Sequence, residues 1–221
     1  MIPFSQIEEQ YETFSAFLKV KNETPIDIKF KKLNENAVLP RYAHDGDVCM
    51  DMTAISVEYN QEHDMYIYHT GLSMESDKHY GAFLFPRSSN RKTDAYLCNH
   101  VGIVDCAIYR GEILFCFKNR DSLKTIASQA QAEEFMCTLS GKPTKYNDFN
   151  VQEGTAQDAY YNSLKAYEEV IHNPMKYAPY KEGDRVGQMV IFLYPNINTV
   201  ETKEELSETE RGTNGFGSTG N

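Results

Sequence analysis

The sequence predicts an all-β fold, a sandwich or distorted jelly-roll-like barrel, with a helix at its start and helical segments in its middle. Two observations predict it. Short β-prone stretches bounded by turn signals recur between residues 26 and 119 and return at 181–193. Helical periodicity marks 5–20, 122–139 and 155–172 instead. At 221 residues, 41% of them apolar, the chain fits one domain with an insertion and can bury a core.

Within 5–20, Ser5 and Glu8 have capping-box spacing, and Ile7, Tyr11, Phe14 and Leu18 share one face. Pro25 ends the segment, which reads as a helix packed on the core or at a subunit contact. Glu9 and Glu12 form an E-x-x-E pair without the second acidic pair that a metal-binding helix bundle needs. Ile26, Ile28 and Phe30 alternate with charged residues, as in a half-buried strand. Asp51 lies between Met50 and Met52 and points away from both if this stretch is a strand. Residues 65–68 and 80–85 read as further strands. The latter runs into Pro86-Arg87-Ser88-Ser89, and a guanidinium followed by two hydroxyls suits phosphate.

Residues 99–113, NHVGIVDCAIYRGEI, read as a hairpin. Val101, Ile103 and Val104 end on Asp105; Tyr109 precedes a tight Arg110-Gly111 corner; Ile113, Leu114, Phe115 and Phe117 resume the β pattern. A carboxylate at a strand end beside an aromatic makes a pocket wall bearing one charged group.

The stretch 122–139 is helix-like but loosely periodic. In 155–172, Thr155 and Asp158 give a capping signal, and Tyr160, Leu164, Tyr167 and Ile171 define one apolar face. Asn173-Pro174 stops that helix, and a Gly/Pro/Asn/Lys-rich linker, 141–154, separates the two. The plain reading is a helical hairpin decorating the barrel; the sharper one is a lid or a surface for an unidentified protein partner. The strand at 181–193 is expected to set Val186, Gln188, Val190 and Phe192 on one face and Met189, Ile191 and Leu193 on the other. Asp184 and Arg185 are expected to pair and hold the fold or a subunit contact. Residues 201–210, with five glutamates, read as a solvated tether to a Gly-rich tail.

The net charge of −10 argues against a nucleic-acid-binding surface. Five cysteines without C-x-x-C spacing read as reduced thiols rather than disulfides or a zinc site. The six histidines show no ligand spacing. No signal peptide and no apolar run near 18 residues point to export or a membrane, so the expected location is cytoplasmic, or the host cytoplasm for a viral protein.

Five stretches, GDVCMDMTA (46–54), PRSSN (86–90), 99–113, GDRVGQMV (183–190) and RGTNGFGSTG (211–220), occur in this order. Together they resemble the five motifs of the trimeric dUTPase family, over roughly residues 26–119 and 180–220. The resemblance divides the chain into an N-terminal extension (1–25), a β core (26–119 and 180–200), a helical insertion (120–179) and a tail (201–221). It implies a homotrimer with shared active sites. It also implies Mg2+-dependent hydrolysis of dUTP to dUMP and pyrophosphate, which limits uracil in DNA and supplies dUMP for dTMP synthesis.

By the same resemblance Asp51 holds magnesium through water, and Asp105 orients and polarises the attacking water. Arg87, Ser88, Ser89 and Gln188 contact the triphosphate. Asn99 and the backbone of Gly102, Ile103 and Val104 read the uracil edge, and Tyr109 stacks under the deoxyribose. From the tail, Phe216 stacks on the base, with Arg211, Gly217, Ser218 and Thr219 around the phosphates. With so acidic a chain, a triphosphate needs local arginines and a divalent cation. Ordering a ten-residue tail costs roughly 1–2 kcal/mol per residue, so closure is expected only over the whole triphosphate.

Two departures stand out. Ser89 occupies a position where the family usually has Gly. Three residues, Cys106, Ala107 and Ile108, separate Asp105 from Tyr109 where the family normally has two; a one-residue bulge would absorb the extra one. The rival enzyme is a dCTP deaminase or its bifunctional form, but residues 113–117 carry no glutamate to shuttle protons. The rival from another class is a regulatory binding protein on the same scaffold, using the insertion as its partner surface.

Overall fold

The computed structural model describes residues 26–140, 156–205 and 207–209. The expected N-terminal helix, the 141–154 linker and the motif-bearing tail lie outside these residues.

Among the described residues ten strands form two antiparallel four-stranded sheets and a two-stranded ribbon. They are β1 (Lys29–Lys32), β2 (Met50–Thr53), β3 (Ser56–Asn60), β4 (Met65–His69), β5 (Leu72–Glu75), β6 (Tyr80–Phe85), β7 (Ala95–Leu97), β8 (Gly102–Val104), β9 (Leu114–Asn119) and β10 (Arg185–Leu193). One sheet has the order β2-β10-β6-β8 and the other β3-β4-β9-β7, while β1 pairs with β5. This is the jelly-roll-like all-β fold with a helical insertion that the sequence predicts. Two helices, α1 (Leu123–Ser140) and α2 (Ala156–His172), lie between β9 and β10. Among the described residues no helix is long and apolar enough to cross a membrane.

Alternation sorts side chains between core and surface. Met52, Leu84, Val104 and Met189 from one sheet face Tyr66, Tyr68, Phe115 and Phe117 from the other, and each is at most 5% exposed. Buried phenols need partners for their hydroxyls. The Tyr68 hydroxyl donates to the Tyr180 carbonyl and accepts from the Tyr180 amide, both at 3.0 Å. Tyr66 donates to the Pro174 carbonyl at 2.8 Å. These bonds fasten the chain as it returns from the helices.

Where β10 pairs with β2, the register slips by one residue between Arg185 and Gly187. This β-bulge turns Val186 inward together with Gly187, correcting the expectation that Val186 shares a face with Gln188. Gly187 sits over the Phe115 ring, and a Cβ there would lie 2.0 Å from a ring carbon.

The helices pack on each other, and at their base on Tyr59 and Tyr177. The buried face of α2 is Ala159, Ser163, Ala166 and Val170; Tyr160 is 55% exposed. The predicted stripe is thus displaced by one residue, because two helices in close contact need small side chains between them. The facing side of α1 is Leu123, Ala127, Ala130, Glu134 and Thr138. The Glu134 carboxyl is buried, with one oxygen accepting from the Thr138 hydroxyl at 3.3 Å and the other without a hydrogen-bond partner.

Gly187→Ala is expected to lower stability by about 1–3 kcal/mol in urea unfolding, as overpacking of a filled core does. Adding Phe115→Leu should recover part of that loss; simple additivity of the two costs would contradict the contact.

Candidate active site

The site grows from the carboxylate of Asp51. On β2 it faces away from the fully buried Met52, as alternation predicts, yet its side chain is only 14% exposed because two arginines cover it. Arg87 Nε donates to Oδ1 at 2.7 Å, and Arg185 Nη1 donates to Oδ2 at 2.8 Å. Arg87 stands where β6 ends, just before a 3₁₀ turn over Ser88–Lys92. Arg185 opens β10, and the bulge brings it beside Asp51. The expected Asp184–Arg185 pair is therefore not formed: Asp184 accepts the Lys181 amide at 2.7 Å instead. Gln188 on β10 lies directly opposite Asp51 on β2 and donates to the Pro86 carbonyl at 3.3 Å.

Asp51, Arg87, Arg185 and Gln188 share a cleft of about 500 Å³ with His44, Asp47 and Cys49. Burial, then the Asp47 and Asp51 carboxylates, push the Cys49 thiol up, so it stays neutral there. Asp47 balances the second guanidinium in formal charge, and the guanidinium N–H groups of Arg87 and Arg185 not used on Asp51 suit the oxygens of an anion. Ser88 is exposed beside this cleft, and Ser89 Oγ accepts a long 3.5 Å bond from Arg87 Nη1. Arg185 is the member that sequence reasoning assigned elsewhere. Its only sequence signal was its place at the start of a strand, and the bulge that redirects it has no such signal.

Asp105 lies in a different place. Residues 99–113 do not form a hairpin, since β8 pairs with β6 in one sheet and β9 with β4 and β7 in the other. The segment is an arch between sheets. Apolar periodicity identified both strands but could not identify their partners.

The extra residue between Asp105 and Tyr109 is taken up in a tight turn. The Ile108 and Tyr109 amides both donate to the Asp105 carbonyl, at 3.0 and 2.8 Å. Arg110 clamps this turn, reaching the Cys106 and Tyr109 carbonyls from Nη1 and the Ala107 carbonyl from Nη2, all at 2.9–3.0 Å. Strand β5 and the residues before it hold the arch from below: Ser73 Oγ donates to the Arg110 carbonyl, and the Gly71 amide to Glu112. The Tyr109 ring lies across Gly111, where a Cβ would meet its hydroxyl. The Asp105 side chain opens into a second cleft of about 480 Å³, with Ser76, Lys78, Ile108 and Tyr194 on its walls.

At the other foot of the arch, Asn99 is exposed, and its side-chain nitrogen would be 3.3 Å from a Cβ at Gly102. The neighbouring turn is closed by His100 in the left-handed region (φ +58°). The structure thus groups Asp51, Arg87, Ser88, Ser89 and Gln188 in one region. It groups Asn99, Gly102, Ile103, Val104, Asp105 and Tyr109 on the arch, and Asp105 does not line the Asp51 cleft. Arg211, Phe216, Gly217, Ser218 and Thr219 lie outside the described residues. Among the described residues no group of three or more His, Cys, Asp or Glu side chains could hold a metal ion.

Fold and site together define an all-β protein with a guanidinium-lined anion cleft and a carboxylate-bearing arch. The family model described as dUTPase matches residues 35–131, which span the cleft residues Asp51 and Arg87 and the whole arch. A deoxyuridine 5'-triphosphate nucleotidohydrolase of Clostridioides difficile is 28% identical over 195 residues, covering 88% of this chain and 98% of the relative. One from Alkaliphilus metalliredigens is 38% identical over 88 residues, 39% of this chain and 60% of the relative. The solved structure of the Staphylococcus bacteriophage 80alpha dUTPase with dUpNHpp aligns at a TM-score of 0.54 with 20% identity, covering 88% of this chain and 98% of the other. These matches support a member of the dUTPase family. The match to the Clostridioides protein is longer than everything outside residues 120–179, so it runs into the helical segment.

Replacing Arg110 by Met should cost about 1 kcal/mol locally. Amide exchange at Ile108 and Tyr109 should speed up severalfold while the global melting temperature changes little. Unchanged exchange at both would show that the turn holds without its clamp.

Proposed function

We propose that the protein hydrolyses dUTP to dUMP and pyrophosphate. The observation that carries this reading is the Asp51 carboxylate held between Arg87 and Arg185, across from Gln188. This is a preorganised seat for phosphate oxygens on a dUTPase-family chain. Arg87, Arg185, Ser88, Ser89 and Gln188 bind the triphosphate by charge-assisted and neutral hydrogen bonds. On the arch, Asn99 and the backbone of Gly102, Ile103 and Val104 take the uracil edge, and Tyr109 lies under the deoxyribose.

Asp105 positions a water against the α-phosphorus. It accepts the proton as the new oxygen–phosphorus bond forms. The bond from the α-phosphorus to its bridging oxygen breaks, and pyrophosphate leaves with the electron pair. The arginines stabilise the charge that develops on it.

The donor set fits a magnesium ion held chiefly by phosphate oxygens and water. Asp51 Oδ2 accepts from both guanidiniums, whereas Oδ1 accepts from Arg87 and keeps a lone pair for a metal-bound water. Such an ion, when bound, supplies further neutralisation of the triphosphate. A homotrimer accounts for the separation of the two clefts in one chain, with Asp105 of one subunit completing the Asp51 cleft of another. The tail residues Arg211, Phe216, Gly217, Ser218 and Thr219 close over the bound nucleotide. The chain then acts in the cytoplasm, without nucleic acid or membrane.

The experiment is pyrophosphate release from dUTP, dTTP, dCTP and UTP with magnesium. Rapid turnover is expected for dUTP alone. Asp105→Asn should lower kcat by about 10²- to 10⁴-fold, the range for removal of a general base, with a smaller change in KM. Turnover of UTP at a comparable rate would show that the enlarged turn no longer lets Tyr109 exclude a ribose. No release from any of the four by the folded wild type would overturn the reading.

A second test addresses the cleft. Arg185→Met should raise the KM for dUTP by about tenfold or more, the loss of one charge-assisted contact. An unchanged KM would return Arg185 to a purely structural role.

A further inference from the structure

The foot of the arch carries a pair of thiols that the proposed reaction does not use. Strands β7 and β9 pair antiparallel through Ala95↔Asn119, Tyr96↔Lys118 and Leu97↔Phe117. One step further, this register sets Cys98 opposite Cys116, and the Cys98 amide donates to the Cys116 carbonyl at 2.8 Å. Leu97, Phe115 and Phe117 point into the core, so the two cysteines share the outer face, where both are partly exposed. The bond from the Cys98 amide makes them a hydrogen-bonded pair, in which Cα atoms stand roughly 5.5 Å apart, within the roughly 4.4–6.8 Å that a disulfide spans.

We propose that Cys98 and Cys116 form a reversible disulfide that locks the foot of the arch, with glutathione disulfide or a similar small disulfide as the oxidant. The bond would enclose residues 99–115, and with them Asn99, Asp105 and Tyr109. No other cysteine has this arrangement. Cys106 is buried, its thiol 3.3 Å from the Val104 carbonyl and 3.6 Å from the Met74 sulfur. Cys49 lies in the Asp51 cleft and Cys137 on α1.

Both thiols carry the electrostatic marks of their position. Burial pushes each of them up, and the Cys98 thiol further raises that of Cys116, while the Lys118 ammonium partly offsets burial at Cys98. Cys98 is therefore the better first nucleophile. Its thiolate attacks one sulfur of glutathione disulfide, forming a mixed disulfide and releasing one glutathione thiolate. The Cys116 thiolate then attacks the Cys98 sulfur and releases the second. The two cysteines together give up two electrons, the glutathione disulfide takes them, and the two thiol protons end on the two glutathiones. Because only thiolates attack, closure should be slow at neutral pH and accelerate as the pH rises.

The test is to incubate the purified full chain with glutathione disulfide, count thiols in denaturant and map linked peptides by mass spectrometry. The wild type should lose two of its five thiols, yield a linkage joining Cys98 to Cys116, and recover fully with dithiothreitol. Amide exchange across residues 99–115 should slow in the oxidised protein. Cys98→Ser and Cys116→Ala should each abolish the linkage, the remaining cysteine ending as a glutathione adduct. Persistent glutathione adducts on Cys98 or Cys116 of the wild type without linkage, linkage through other cysteines, or unaltered exchange in the arch would overturn the proposal. None of these readouts uses dUTP, so the outcome is independent of the proposed hydrolysis.

Discussion

The contact on which the rest of this structure depends is the Phe115 ring lying where a side chain at residue 187 would be. Phe115 follows the arch and belongs to one sheet; Gly187 belongs to the other. Any Cβ at that point would force the sheets apart, and the bulge beside it exists because Val186 also turns inward. Skipping one residue has an outward consequence. Arg185 reaches Asp51 on the far side of the sheet, and Gln188 still falls opposite Asp51. The geometry of the anion cleft is thus set by a packing decision made in the core.

A second constraint governs the arch. An apolar strand that ends on a charged residue must leave its sheet, and this one crosses to the other sheet over β5. Its backbone polar groups would lose their partners in that crossing. Its carbonyls are met by side chains instead, three by Arg110 and a fourth by Ser73, while Glu112 of the arch accepts the Gly71 amide. Asp105 stays exposed because its backbone carbonyl, rather than its carboxylate, closes the turn.

Much of this was legible in the sequence, for physical reasons that can be named. Strands with one face in the core alternate, so Asp51 between two methionines had to point outward, and residues 65–68 and 80–85 had to be strands. Residues 99–113 read as a hairpin in the sequence but fold as an arch, because alternation marks a strand without marking its neighbour. The large apolar side chains of α2 point to a stripe one residue away from its buried face. A tight helix pair instead selects Ala159, Ser163 and Ala166, which carry little hydrophobic signal. Arg185 was paired with its sequence neighbour because a bulge depends on a ring contributed from 70 residues away, and no local pattern encodes it.

The tyrosines that secure the chain's return from the helices bear on how this protein can change over time. Asn119, at the exit from β9, donates to the Tyr177 carbonyl at 3.0 Å, and Tyr68 grips Tyr180. The departure and return points are therefore held side by side by the barrel itself. Loop-closure entropy grows only logarithmically with length, so the segment between them can lengthen, shorten or be replaced with little penalty to the sheets. The barrel thus offers a socket in which a lineage can trial new surface while the residues that face the Asp51 cleft stay under their own separate selection.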